Sequence, residues 1–372
     1  MTTSERGFVT LTVTLLVMIM AISVAVFTTR NKVTENRIQL NEVRHEQAFE
    51  AAESGLEYAV SQIHKNPQGS LSFTLTNAQV AGAQTTFTTT SVEDAVAFTN
   101  SSGQAVIYSV ARVSSTGTSQ DGSTTETHRQ TLVVTPVVKT GPSAPLTVGG
   151  SMTVGGSFSV AANPNGGGRG VPVSIWMSTP VDLSGNVMTC GQQEFSGGNC
   201  SSAVYSGKDS PGIDIVDNDP SFPSDLFAFT FGIDSSNWRD LESDANYIFN
   251  DCSSLTGSEA GLIIIEGNCD LKASLGSESA PVLLLVVDGD LTMNASYSFH
   301  GVVFSFHTAP SVSTKFKANG TAEVDGSIIA NHDVDITSGT FGVRSEELGT
   351  GGGNPFQKIK RVWRLPGSWR DW

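Results

Sequence analysis

Four cysteines, Cys190, Cys200, Cys252 and Cys269, are the side chains best suited to chemistry in this chain. An even count without any C-x-x-C spacing, and with no histidine close in sequence, reads as disulfides rather than as a metal site. Three connectivities are open, and proximity in sequence favours Cys190–Cys200 with Cys252–Cys269. Asp214, Asp217 and Asp219 could bind Ca²⁺, but they lack the alternating spacing, the Gly and the closing Glu of an EF-hand loop. A solvated turn is the better reading. His300 and His307 flank an expected strand; at their spacing they point to opposite faces, which disfavours a joint metal site. Asp288, Asp290, Asp325, Asp333 and Asp335 could form the acidic face of a carbohydrate-active β-protein, yet Asp is commonplace at turns. There is no G-x-S-x-G and no Walker A, and His45-Glu46 lacks the second His of a zincin. The expectation is therefore no catalytic residue, no metal and no cofactor.

With so little chemistry to position, the informative elements are structural. Phe8 to Phe27 is a run of twenty residues without a charge. At helical rise it spans roughly 30 Å, the hydrocarbon thickness of a bilayer. Thr10, Thr12, Thr14 and Ser23 interrupt it, but hydroxyls on a helix can bond back to the carbonyl one turn earlier. A cleaved signal peptide is the plain alternative, with Ser23-Val24-Ala25 as its cleavage site; the run exceeds the roughly 7–15 residues of an ordinary h-region. Arg30 and Lys32 just beyond the run favour the opposite orientation by the positive-inside rule, against the exported character of the longer, β-rich remainder of the chain.

The helix is expected to continue past the membrane. Between Thr28 and His64 only Gly55 breaks the run of helix formers, and the restriction before Pro67 stops the helix by Asn66. Val33, Leu40, Val43, Phe49, Ala52, Leu56, Val60 and Ile63 recur at helical spacing, and glutamates cover much of the rest. Arg6-Gly7-Phe8 ahead of the apolar run resembles the class III leader of type IV pilins, in which prepilin peptidase cuts after the Gly; the resemblance implies cleavage after Gly7 and N-methylation of Phe8. Gln47 to Leu56 is similar to the helix motif of PilX-type minor pilins, carried by Ala48, Phe49, Ala51, Ala52, Glu53, Gly55 and Leu56. Major pilins carry a Glu five residues into the mature chain, and that position is Thr12. The same absence marks PilX-like minor pilins and the K-type pseudopilin of type II secretion.

Beyond residue 66 the period changes to two. Leu71–Leu75, Thr85–Val92, Ala105–Val113 and Thr131–Val138 read as strands, with a turn over Gly117–Ser123 joining the last two as an antiparallel pair. Their apolar face needs a cover, and the helical face from Phe49 to Ile63 is available. Gly141-Pro-Ser-Ala-Pro145 is linker-like. After it come short apolar strands punctuated by Gly or Asp-Gly: Leu146-Thr-Val-Gly-Gly, Met152-Thr-Val-Gly-Gly, Leu284-Leu-Val-Val-Asp-Gly and Glu323-Val-Asp-Gly. They suggest a parallel β-helix or solenoid; hairpins in a sandwich are the competing reading, since Asp-Gly also turns hairpins.

The fold expected is α+β: a long pilin-like helix on a small antiparallel sheet, then a β-rich, solenoid-like C-terminal domain. The divisions are 1–7 leader, 8–66 helix (8–27 transmembrane, 28–66 amphipathic), 67–140 sheet, and 141–372 β-repeat domain with an irregular insertion at 191–251 whose helical candidate is Ser235–Asp244. Lys358 to Trp372 is the one basic run of a chain with net charge −15; it reads as an edge strand ending in an ordered tail that covers the core, with docking to an acidic partner or to the chain's own acidic body as the alternatives. That net charge argues against nucleic acid. The resemblance implies a minor pilin that works in pilus assembly or at the tip. Its partners would be other pilins, major and minor, a tip protein, and prepilin peptidase in the bacterial inner membrane, with the bulk of the chain in the periplasm and later at the surface. The alternatives are a K-type pseudopilin, or a pilin-anchored adhesin or carbohydrate-active β-helix protein.

Overall fold

The computed structural model describes residues 4–65, 70–76, 85–99, 105–294, 297–309, 314–319, 321–336, 340–345 and 359–371. Helix α1 runs unbroken from Ser4 to Lys65, 62 residues or about 93 Å. It begins inside the expected leader, so Gly7 and Phe8 lie in its first turns. Asn66, the expected last residue, lies outside the described residues.

Next come β1 (Phe73–Thr76), β2 (Thr86–Thr99), β3 (Ala105–Thr118) and β4 (Thr125–Pro136), antiparallel in that order. Ala111 and Val113 on β3 with Leu132 and Val134 on β4 share one apolar face, and α1 covers it. Leu56, Ala59, Val60 and Ile63 pack there on Leu71, Ala111, Val113, Leu132 and Val134.

The chain then changes to parallel pairing. The short strands are β5 (Leu146–Val148), β6 (Met152–Val154), β7 (Ser157–Ala161), β8 (Ile175–Met177) and β9 (Asn186–Cys190). The hairpin β10 (Phe195–Ser196) and β11 (Asn199–Cys200) comes next, then β12 (Ile215–Val216), helix α2 (Leu226–Phe231), a 3-10 segment Ser235–Asp244 and β13 (Tyr247–Phe249). After these, β14 (Gly261–Glu266), β15 (Cys269–Leu271), β16 (Val282–Val287), β17 (Leu291–Asn294), β18 (Ser298–Phe306), β19 (Thr314–Asn319), β20 (Thr321–Ala330), β21 (Val334–Ile336) and β22 (Thr340–Arg344) go alternately to two sheets. One sheet has eleven strands, ordered β12-β8-β5-β20-β18-β16-β14-β13 with β22, β7 and β9 branching from β20; the other is β15-β17-β19-β21-β6. Every pairing in both is parallel. Successive apolar strands are therefore not hairpins.

Gly301 and Gly326 are register partners with φ of 137° and 146°, a conformation that side chains with a Cβ rarely adopt. They sit where β18 and β20 change neighbours. Ahead of Gly326, β20 pairs with β22; after it, β20 pairs with β5. The inner side chains of both sheets (Ile263, Leu284, Val303, Ile328, Met293 and Ile336 among them) form the largest core. The outer face of the eleven-stranded sheet is covered by α2 and the 3-10 segment through Phe227, Phe231, Trp238 and Leu241. Thus the 191–251 segment is less irregular than expected. It supplies strands β12 and β13 to that sheet and a helix, α2, whose run Leu-Phe-Ala-Phe-Thr-Phe is too apolar and short for periodicity to mark it.

The expected end of the C-terminal domain at residue 372 is corrected by β23 (Lys360–Arg364), which leaves the parallel sheets and pairs antiparallel with β4. Without it β4 would be an open edge, and Val362 adds to the core beneath α1. The antiparallel sheet thus has five strands, with the whole parallel region inserted between its last two.

Cys190–Cys200 and Cys252–Cys269 are both bonded, and among the described residues no cysteine is free. The first holds the β10–β11 hairpin over Ala161; the second ties the turn at Cys252–Ser254 to β15. Closing loops of these lengths should stabilise by roughly 2–4 kcal/mol each. Non-reducing peptide mapping is expected to recover these two pairs, and reduction to lower the denaturation midpoint. Recovery of crossed pairs or of four thiols contradicts the assignment.

Candidate functional site

Among the described residues, nothing covers the first half of α1 from Thr10 onward. Its most apolar eighteen-residue window has a mean hydropathy of 2.5 and none of it is buried. The hydroxyls inside the run bond backward, Thr14 Oγ1 to the Thr10 carbonyl at 2.9 Å and Ser23 Oγ to that of Ile19 at 2.8 Å, so they do not present bare polar groups to lipid.

The motif lies where α1 meets the sheet. Ala48, Ala51, Ala52 and Leu56 are buried, and the contact is close because both surfaces are pared down. A Cβ added at Gly55 would stand 2.7 Å from Phe87 and Thr89; one at Gly117 of β3 would stand 2.9 Å from the carbonyl carbon of Ala51 and closer still to the backbone of Ala48 and Ala52. Nearer the tip of the sheet, Arg44 pairs with Asp121 at 2.7 Å and His45 with Glu126 at 2.8 Å. Hydrogen bonds from Ser123 and Ser119, with Arg44 adjacent, hold the Asp121 carboxyl down at about 2.

Phe49, Glu53 and Glu57 are spaced by four and so form one stripe along α1. That stripe holds the C-terminal tail. Glu53 Oε2 is 2.9 Å from Nδ1 of the buried His128 and accepts from Trp369 Nε1 at 3.3 Å. The His128 ring stands edge-on between Phe49 at 4.4 Å and Trp369 at 5.4 Å. Arg364 donates to Glu57 at 2.5 Å, and that bond raises the guanidinium above its ordinary range. Arg361 lies 3.6 Å from Asp244, both largely buried; burial pushes the Asp244 carboxyl up, with the guanidinium opposing. Of the readings of the basic run, the structure has the edge strand with a tail folded back on the chain's own acidic side chains. The signal lay in the alternation of Arg361, Val362, Trp363 and Arg364, a strand with one apolar side, but its partner β4 is over two hundred residues away.

The remaining sequence candidates are scattered. Asp214 is buried and accepts from Ser206 Oγ at 2.6 Å; Asp217 accepts from the Val181 N–H, and Asp219 from Trp176 Nε1. His300 faces Asp325 at 3.5 Å, whereas His307 faces Asp288 at 2.9 Å. Asp288 also accepts from Thr308, Asp333 from Ser151 and Asp335 from Thr153, each tying one strand or turn to the next. Among the described residues no three His, Cys, Asp or Glu side chains are grouped so as to hold a metal ion. One row carries no signal in the sequence: His300, Asp325 and Arg344 are register partners on β18, β20 and β22. Arg344 Nε donates to Asp325 at 2.7 Å, and burial with Asp325 alongside raises the Glu323 carboxyl.

Of the comparisons with known proteins, one bears on the N-terminal segment. Residues 6–57 match the family model described as PilX N-terminal. The segment holding the anchor and the motif is of that type. Among solved structures, the competence-associated pilin ComZ from Thermus thermophilus is similar at 13% identity over 88% of this chain and 97% of that one. Its TM-score is 0.27, a likeness too loose to carry argument. No curated protein matches the sequence.

Proposed function

We propose that the chain is a minor pilin of a type IV pilus, acting in assembly or at the tip and carrying its large β-domain outward. The observation that supports this most is the division of α1: a charge-free, uncovered half directly after Arg6-Gly7, continuous with a half whose motif grips a small sheet. A helix so built has work in a membrane first and among similar helices later. On this reading prepilin peptidase cuts after Gly7, the mature chain starts at Phe8, and the anchor leaves the inner membrane to join other pilins, major and minor, near a tip protein. The bulk of the chain lies in the periplasm and then at the cell surface.

The function is structural rather than enzymatic; the aspartates at the strand ends are engaged with neighbouring strands and turns. The all-parallel pairings and the strands that alternate between two sheets favour a solenoid-like reading of the β-domain over a sandwich. That β-rich enlargement, whose helical parts are the six-residue α2 and short 3-10 segments, also favours the pilus over a K-type pseudopilin of type II secretion, for which a helical insertion is expected.

N-terminal sequencing of the mature protein is the test. It should begin at Phe8, with that residue methylated. A start near Val26 would mean ordinary signal-peptide cleavage and would remove the basis for the pilin assignment.

A further inference from the structure

Four neighbouring parallel strands of the larger sheet end on one line. β18, β20, β5 and β8 pair Ser305 with Ala330, Ala330 with Val148, and Val148 with Met177. The next residues along, Phe306, Asn331, Gly149 and Ser178, therefore form a row, and all four line a cleft of about 630 Å³. The chain from Phe222 to Leu226, just ahead of α2, lines it too, with Ser235, Ser236 and Trp238 of the 3-10 segment. That volume suits a ligand of one or two rings. The lining narrows the chemistry of such a ligand. Among the described residues no Lys or Arg lines the cleft, so an anion finds no fixed counter-charge. The carboxylate that does, Asp225, accepts from the N–H groups of Ala228 and Ser235 at 2.8 and 2.9 Å, and is spent on the turn it holds. A purely apolar guest would cover the hydroxyls of Ser224, Ser235 and Thr308 at a cost. An uncharged ligand rich in hydroxyls, with one apolar face, meets all three conditions.

The polar groups of the cleft are held in place without being used up. A hydroxyl has one hydrogen to donate and two lone pairs to accept with. Ser178 Oγ donates to the Gly149 carbonyl at 2.6 Å and Thr308 Oγ1 to Asp288 at 2.8 Å, and each can still accept. Asn331 Oδ1 accepts from the His307 N–H at 2.8 Å, while its Nδ2 donates to the His307 carbonyl at 2.9 Å; a second amide hydrogen is left over. His307 Nδ1 lies 2.9 Å from Asp288, which leaves the other ring nitrogen for a ligand. The apolar side is equally fixed. Half-buried Phe222 packs on Trp176 with ring centroids 4.7 Å apart, and buried Phe306 packs on Phe227 at 4.7 Å. Groups already ordered cost little to bring to a ligand. We propose that this cleft binds a neutral sugar, one or two residues of a glycan, with its hydroxyls on Asn331, His307 and the serines and its apolar face on Phe222. The proposal goes beyond the fibre role and does not depend on it.

The test is calorimetric titration of the full chain, in micelles of a detergent without a sugar headgroup, with maltose, lactose, mannobiose, N,N′-diacetylchitobiose and galacturonate. At least one of the neutral disaccharides is expected to bind saturably, with an affinity that NaCl changes little because no charge is paired. Galacturonate should bind more weakly than that disaccharide. Phe222→Ala should weaken binding about tenfold, the loss of one aromatic contact surface. Should that variant loosen the cleft, Ser224→Arg, at an exposed lining position, places a long charged side chain at the cleft and should abolish binding. Failure of all the neutral disaccharides to saturate overturns the proposal. So does galacturonate binding tighter than every one of them, or an unchanged affinity in both variants.

Discussion

Valine at position 117 should separate the long helix from its sheet. Gly117 lies on β3 directly beneath the turn of α1 that carries Ala48, Ala51 and Ala52, and the added Cβ would overlap backbone atoms rather than a yielding side chain. Neither backbone can move alone, because β3 is paired along both edges, with β2 and β4. Overpacking of a core typically costs about 1–3 kcal/mol, and a clash against two fixed backbones belongs at or above the top of that range. A loss of about 3 kcal/mol corresponds to roughly a hundredfold loss of amide protection. Hydrogen exchange read by mass spectrometry is the suitable measurement, since it reports β2 to β4 separately from the parallel sheets. Thr118→Val, the neighbouring position on the opposite face, is expected to change protection little. Wild-type protection of β3 in Gly117→Val would mean that the close approach is not what holds the helix down.

The same contact divides the features that local residue patterns encode from those they do not. The absence of Gly and Pro from Thr28 to His64 apart from Gly55, together with the apolar spacing from Phe49 to Ile63, marks both the helix and the face it buries. Period-two runs mark the four strands below it, with β2 and β3 longer than the apolar stretches alone suggest because their Thr and Ser residues also pair. Gly117 has no comparable signal: it reads as the start of a turn, and only the helix above it explains why no side chain is tolerated.

Non-local pairing is the main thing hidden. The basic run from Lys358 onward reads as an edge strand that covers a core, but nothing local says that its partner is β4 or that the core is the one under α1, since strand partners so far apart in sequence leave no local pattern. The motif is legible as a family resemblance, but the function of its exposed stripe is not. Glu53 and Glu57 look like the solvated side of an amphipathic helix until His128, Trp369 and Arg364 are set against them. In the parallel region the Asp-Gly repeats are ambiguous for a physical reason. The same dipeptide that reverses a hairpin also lets β20 turn a corner at Gly326 while keeping its direction relative to its neighbours.

A fibre sheared from cells should contain this chain at a small fraction of the major subunit. The expectation rests on Thr12, which sits on the exposed, apolar half of α1. Within a bundle of such helices the surroundings are of low dielectric, where an uncompensated charge costs several kcal/mol. The pilin resemblance implies that a Glu at this place offsets the N-terminal amine of a neighbouring subunit. A threonine hydroxyl carries no charge and cannot do so. A single subunit at the end of a fibre can lack the group, whereas a repeating one would leave an amine uncompensated at every step. Deletion of the chain should therefore reduce the number of pili far more than their length. Quantitative mass spectrometry of sheared fibres checks the stoichiometry, and counting pili by electron microscopy checks the deletion. Recovery near parity with the major subunit would refute the tip assignment. Thr12→Glu separates the cause from the correlation: if the missing carboxylate is what confines the chain to the end, that variant should enter the shaft and its share of the fibre should rise.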